Sequence, residues 1–172
     1  MSIELQLEQL KTQLSSHMPA DGVKECIIPE LYLYRTEVTT DVTPVVYDPS
    51  LCIMLQGEKE VYLNNDKLVY DPLSYLLVPV TVPVSGKVTK ASVNKPYLAL
   101  KMTIDLKKLA DLVIDLGGRV ERSKDQVKAM SVGRVDEALL SAVSRMVQLL
   151  DKPSDIPVLY PLLKREILYR LL

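Results

Sequence analysis

The chain has 172 residues and a net charge of −1, with 21 basic against 22 acidic side chains. At this length it is read as a single domain, and a protein of this mass buries about 70% of the surface its unfolded form exposes, so a core forms without staples. The balanced charge excludes a surface built to coat nucleic acid, the 48% apolar and 25% charged composition excludes wholesale disorder, and no apolar run reaches the roughly 18 residues of a membrane span.

The first predicted element is a helix, on which Ile3, Leu7, Leu10 and Leu14 recur at helical spacing. Ser2 is placed to cap it, and Pro19-Ala20-Asp21-Gly22 ends it. From Val23 to Thr103 short runs rich in Val, Leu, Ile and Tyr alternate with turn residues. Strands are predicted over 25–28, 31–37, 45–46, 51–56, 60–63, 67–70, 75–78, 84–89 and 97–103. Asn64-Asn65-Asp66 is a hairpin tip, because Asn and Asp tolerate positive φ. Many short strands at such spacing give a sandwich or barrel, whose rims tolerate the frequent Pro.

Beyond Asp105 the pattern becomes helical. Asp105 caps a helix bearing Leu106, Leu109, Ala110, Val113 and Leu116, and Gly117-Gly118 stops it. Residues 119–134 are charged and unpatterned and read as a linker. Val135, Leu139, Ala142, Met146 and Leu149 then fall at alternating spacings of four and three, an a/d seam. Ser154 or Asp155 caps a last helix, with Pro157 in its first turn and Leu162, Leu163, Ile167, Leu168, Leu171 and Leu172 along it. The apolar stripe runs to the final residue, which is expected where a further domain follows.

Chemistry-bearing residues are few. Nine Tyr stand without Phe or Trp, so the core rests on Leu, Val, Ile and Met. Cys26 and Cys52 cannot build a disulfide framework, and Met1–Leu5 lacks the basic-then-apolar pattern of a secretory signal. Free thiols in a reducing cytosol are expected. The one histidine, His17, excludes a multi-His metal site or a His pair sharing acid and base roles. It sits at the tail of a surface helix and reads as a capping or solvated side chain, and Cys52 reads as a small buried hydrophobe. No Gly-x-Ser-x-Gly elbow is present.

Pro49-Ser50-Leu51-Cys52-Ile53-Met54-Leu55-Gln56-Gly57, followed by Tyr70-Asp71-Pro72-Leu73-Ser74-Tyr75-Leu76-Leu77-Val78-Pro79, resembles the core of a cupin barrel. Together with Pro29–Arg35, Pro96–Leu100, Asp155–Leu159 and Arg165–Leu172, the order and spacing resemble the N-terminal sensor domain of AraC-type transcriptional regulators, from about residue 17 to 172. The resemblance implies a cupin-like β-barrel (a double-stranded β-helix) with an N-terminal helix and a C-terminal helical region. It divides the chain into a helical segment at 1–22, a barrel at 23–104 and a helical dimerisation and linker region at 105–172. It also implies a DNA-binding half with two helix-turn-helix motifs following Leu172, through which alone DNA would be bound.

Cupin metal ligands would fall near Pro44, Val46, Ser50 and Val84, none of which is His, Glu or Asp, and Leu73 and Thr81 stand where the motif has Gly. No metal, cofactor or catalytic residue is therefore expected. If those positions face inward, so do Ser50, Cys52, Met54 and Gln56. On the strand at 97–103 the apolar set Leu98, Leu100 and Met102 is expected inside. The expected pocket, Val46, Ser50, Cys52, Met54, Gln56, Val84, Leu98, Leu100 and Met102, suits a small apolar or amphipathic effector; the alternative is a barrel filled by its own side chains. The seam Val135, Leu139, Ala142, Met146 and Leu149 is the expected homodimer interface, with packing onto the chain's own core as its alternative. The expected function is effector sensing and dimerisation for a cytoplasmic transcription factor. A metal-independent cupin isomerase or epimerase and a ligand-free dimerisation module are the competing readings.

Overall fold

The computed structural model describes residues 2–117 and 129–172. The chain opens with helix α1 (Ile3–His17), where the Leu5 amide donates to Ser2 Oγ at 3.2 Å and Leu7, Leu10 and Leu14 are buried as their spacing requires. Nine strands follow: β1 (Gly22–Glu25), β2 (Leu31–Thr36), β3 (Thr43–Tyr47), β4 (Ser50–Gln56), β5 (Glu58–Leu63), β6 (Asp66–Tyr70), β7 (Ser74–Val78), β8 (Val82–Lys90) and β9 (Tyr97–Thr103). Helix α2 (Leu106–Asp115), strand β10 (Ser131–Arg134), helix α3 (Glu137–Gln148), two 3-10 turns (Leu149–Asp151 and Pro153–Asp155) and helix α4 (Ile156–Leu171) complete the order.

All strand pairs are antiparallel. One sheet has the order β1-β2-β9-β4-β7-β10 and the other β3-β8-β5-β6. They enclose a common interior of Met54, Val61, Tyr70, Leu76, Val78, Val82, Val84, Val88, Tyr97 and Ala99, giving the cupin-like barrel. The β5–β6 hairpin turns on Asn64 and Asn65, with Asn64 at φ 54°, as the tip residues predicted.

The larger sheet carries a second hydrophobic layer on its outer face. There Leu31 and Leu33 of β2, Leu51 and Ile53 of β4, and Leu98, Leu100 and Met102 of β9 join one cluster with Leu10 and Leu14 of α1, Leu140 and Val143 of α3, and Ile167 and Leu168 of α4. The wide face needed to cover four helices is the reason these strands are apolar on that side.

Three expectations change. The strand expected at 25–28 lies earlier, at Gly22–Glu25, with Ile28 buried in the turn that follows. The stretch expected as a linker contains β10, which pairs with β7 from Ser131↔Leu77 to Arg134↔Ser74, so the barrel sheet is not confined to 23–104; residues 119–128 of that stretch, and Gly118 of the expected helix stop, lie outside the described residues. β10 is held where Gly133 lets the Tyr75 ring approach, since a β-carbon there would sit 2.3 Å from Tyr75 Cζ. Third, the a/d seam is not a free surface. Val135, Leu139, Ala142, Met146 and Leu149 are each at most 5% exposed and belong to the chain's own helix-side core. The seam packs on α1, α4 and the sheet, which removes it as the expected interface. α3 is capped by Asp136, whose Oδ1 accepts from the Leu139 amide at 2.8 Å, whereas Asp155 makes no such bond at the start of α4.

Candidate functional site

The barrel is partly filled. Met54, Val61, Leu76, Val78 and Val84 pack part of the interior, and a cavity of about 330 Å³ remains beside them. This is the small end of ligand-binding cavities. Its wall comes from both sheets: Tyr34, Cys52, Tyr97, Ala99 and Lys101 from β2, β4 and β9, and Val45, Val46, Tyr47, Lys59, Tyr70, Gly86 and Val88 from β3, β5, β6 and β8.

Cross-strand register decides which side chains face it. Residues opposite one another in an antiparallel pair share a face. Cys52 stands opposite Lys101, and Met54 opposite Ala99. With Cys52 and Met54 inward, Tyr97, Ala99 and Lys101 must be inward too. Leu98, Leu100 and Met102 then point to the helices, which reverses the expected parity of β9. In the other sheet Val61 opposes Gly86, and Lys59 opposes both Tyr70 and Val88. Gly86 keeps room for the lysine, since a β-carbon there would lie 3.3 Å from Lys59 Cε.

The expected pocket residues divide accordingly. Cys52 lines the cavity, and Val46 lies at its mouth, 61% exposed. Met54 and Val84 are interior but belong to the filled part. Ser50 is buried outside the wall and donates its hydroxyl to the Asp48 carbonyl at 2.8 Å. Gln56 follows a bulge in β4 and faces the α1 side, donating to the Pro96 carbonyl at 2.8 Å and accepting from Lys11 Nζ at 3.4 Å. Leu98 and Met102 lie in the helix-side core; Leu100 lies there as well and also edges the cavity. His17 is outside, its Nε2 2.9 Å from Asp151 Oδ1.

Sequence reasoning missed the tyrosines and lysines. The signal was present in the alternation Leu31-Tyr32-Leu33-Tyr34, where one face is aliphatic and the other phenolic. Burial raises the hydroxyl pKa values of Tyr47, Tyr70 and Tyr97, so all three are neutral donors. Burial also pushes the Cys52 thiol up against the lowering influence of Lys59 and Lys101, which keeps it a thiol rather than a nucleophilic thiolate. The Lys59 ammonium sits 5.5 Å from the Tyr47 ring centre and Lys101 4.7 Å from that of Tyr32, both in cation–π range. Burial lowers the Lys59 pKa, partly offset by Cys52 and Tyr34. Among the described residues no Asp, Glu or His lines the cavity, and no three His, Cys, Asp or Glu side chains converge as a metal site. No described helix is long and apolar enough to cross a membrane.

The solved structures similar to this chain include ToxT from Vibrio cholerae with an unsaturated fatty acid bound, at 13% identity and a TM-score of 0.49, covering 73% of this chain and 47% of that one. The AraC-like transcriptional activator CuxR aligns at 10% identity and a TM-score of 0.48, covering 83% of this chain and 52% of that one. A cupin-2 domain protein from Shewanella frigidimarina aligns at 7% identity and a TM-score of 0.37, covering 55% of this chain and 99% of that one. The chain thus spans about half the length of the two regulators. No curated protein matches its sequence. Residues 27–172 match the family of AraC-type transcriptional regulator N-termini. The chain therefore belongs to the AraC-type transcriptional regulators, as their N-terminal region.

Proposed function

We propose that this chain is the effector-sensing part of its regulator and takes a small amphipathic molecule into the barrel cavity. The observation that carries the reading is the cavity itself: unfilled space inside the barrel, walled by aliphatic and phenolic side chains, with polar groups at a few fixed points.

The same strands that line the cavity support the helices. Tyr97, Ala99 and Lys101 of β9 face the ligand space, while Leu98, Leu100 and Met102 face α1, α3 and α4. A ligand that spreads or tightens β9 against β4 changes the platform on which the helices rest. It shifts their arrangement only by the difference of its affinity for the two states. A second tie runs from the turn before β2, where Glu30 pairs with the buried Lys164 of α4 and its carbonyl accepts from the Thr103 amide at the end of β9. The helices report to a DNA-binding part of the regulator.

Pairing of two copies belongs to this reading, on a different surface from the expected seam. Val158, Leu162 and Tyr169 are exposed along one face of α4. That exposed apolar stripe is the surface offered to the same stripe of a second copy.

A thermal-shift screen of the purified chain against small organic acids, alcohols, amines and sugars tests the sensor reading. Amphipathic hits should raise the melting temperature of the wild type and lose that effect in Ala99→Leu, which fills the cavity. Hits that stabilise the variant equally, or no hits at all, would overturn it.

A further inference from the structure

Among the described residues, the barrel cavity is lined by two lysines and by no carboxylate. Lys59 projects into it from β5 and Lys101 from β9. The acidic neighbours of Lys59 cannot serve it, because alternation puts them on the outer face of the strand. Glu60 is engaged there with Lys67 and Lys87, at 3.5 and 3.8 Å, and Glu58 with Lys90 at 3.3 Å. Among the described residues neither Lys59 nor Lys101 makes an ion pair, and the groups nearest them are tyrosine rings, the Tyr34 hydroxyl and the Cys52 thiol.

Two like charges facing a largely apolar cavity are unfavourable when it is empty. Lys59 loses water and feels the repulsion of Lys101, whereas Tyr34 and its neighbours favour the Lys101 ammonium. Lining the same space with two aliphatic residues would have been easier for folding. A partly buried charge without an ion-pair partner, lining a cavity, is a candidate functional group. The group that resolves the imbalance is an anion, with an organic part for the phenolic and aliphatic wall and a size limited by a cavity of about 330 Å³.

We propose that the effector is a small organic monocarboxylate, its carboxylate held between Lys59 and Lys101 and its alkyl or aryl part lying against Tyr47, Tyr70, Tyr97 and Val88. This deepens the sensor reading and rests on it. The lysines supply charge to the head group, and the phenol rings supply the surface for the organic part. Specificity follows from the unpaired state: a neutral analogue of the same shape leaves both ammonium groups uncompensated.

Isothermal titration calorimetry on the purified chain tests this, with 3-phenylpropionate and hexanoate as probes, each beside its primary amide. At least one acid should bind about tenfold or more tighter than its amide, as expected when charge-assisted bonds are formed. Lys59→Met and Lys101→Met should each weaken the acid by about fivefold or more and leave the amide unchanged. Lys59→Arg and Lys101→Arg, which keep the charge, should retain the preference for the acid, and they carry the test if a Met variant fails to fold. Equal binding of acid and amide would overturn the carboxylate while leaving the sensor reading intact. Unchanged acid affinity in the Met variants, or no acid binding at millimolar concentration, would overturn the carboxylate as well; the thermal-shift screen with Ala99→Leu judges the sensor reading separately.

Discussion

Gly57 sits where β4 turns into β5, at φ 93°, and a β-carbon there would lie 2.6 Å from the Lys90 carbonyl oxygen. Gly57→Ala therefore combines backbone strain with a clash against main chain and should cost about 2–3 kcal/mol, read as a lowered midpoint in urea unfolding. Glu30 carries a different load. Its carboxylate is the partner of Lys164, which is 3% exposed. Glu30→Gln removes the charge and leaves the ammonium buried, a loss of about 3 kcal/mol by the same measurement. Lys59 behaves oppositely, since it has no ion pair to lose. Lys59→Met should hold the melting temperature or raise it by a few degrees, about the effect of 1 kcal/mol in a domain of this size. The Gly57 turn was legible in the sequence because glycine after a strand announces its own geometry. The lysines were not, because an inward lysine on a strand looks like an outward one until the register is known.

At the scale of elements, the a/d spacing of Val135–Leu149 located α3 correctly and its partner wrongly. A stripe of Leu, Ala and Met says that a helix buries one face; it does not say against what. Here the partners are α1, α4 and the outer face of the larger sheet. Leu139→Ala should thus cost about 3 kcal/mol of stability through the cavity it leaves, without changing the oligomeric state. Leu162→Glu, on the exposed face of α4, should do the reverse: stability nearly constant by thermal unfolding, and any dimer lost by sedimentation. β9 shows why Leu98, Leu100 and Met102 were expected on the wrong face. Its more apolar face was expected inside the barrel, but two hydrophobic layers compete for that strand, and the drier one lies under the helices. The barrel interior, which holds the cavity, is the side that takes the tyrosines and lysines. β10 escaped prediction for a simpler reason: four residues, Ser131–Arg134, two of them exposed, carry too little periodicity to register.

For the whole molecule, the order of a short helix, a run of strands and a helical end was readable from turn residues and spacing, and with it the cupin-like barrel. What could not be read was the division of labour between the sheet's two faces, which arises only when β2, β9 and β4 are paired. In the proposed sensor, that division would couple barrel and helices, since occupancy on one face and helix packing on the other share the same backbone. The central claim is that the barrel holds a small amphipathic molecule. Native mass spectrometry of the chain, after incubation with a cellular small-molecule extract, tests it most directly. The account predicts a discrete bound organic mass on the wild type that is absent from Ala99→Leu. A wild-type chain that emerges bare, or a variant that carries the same mass, would contradict it.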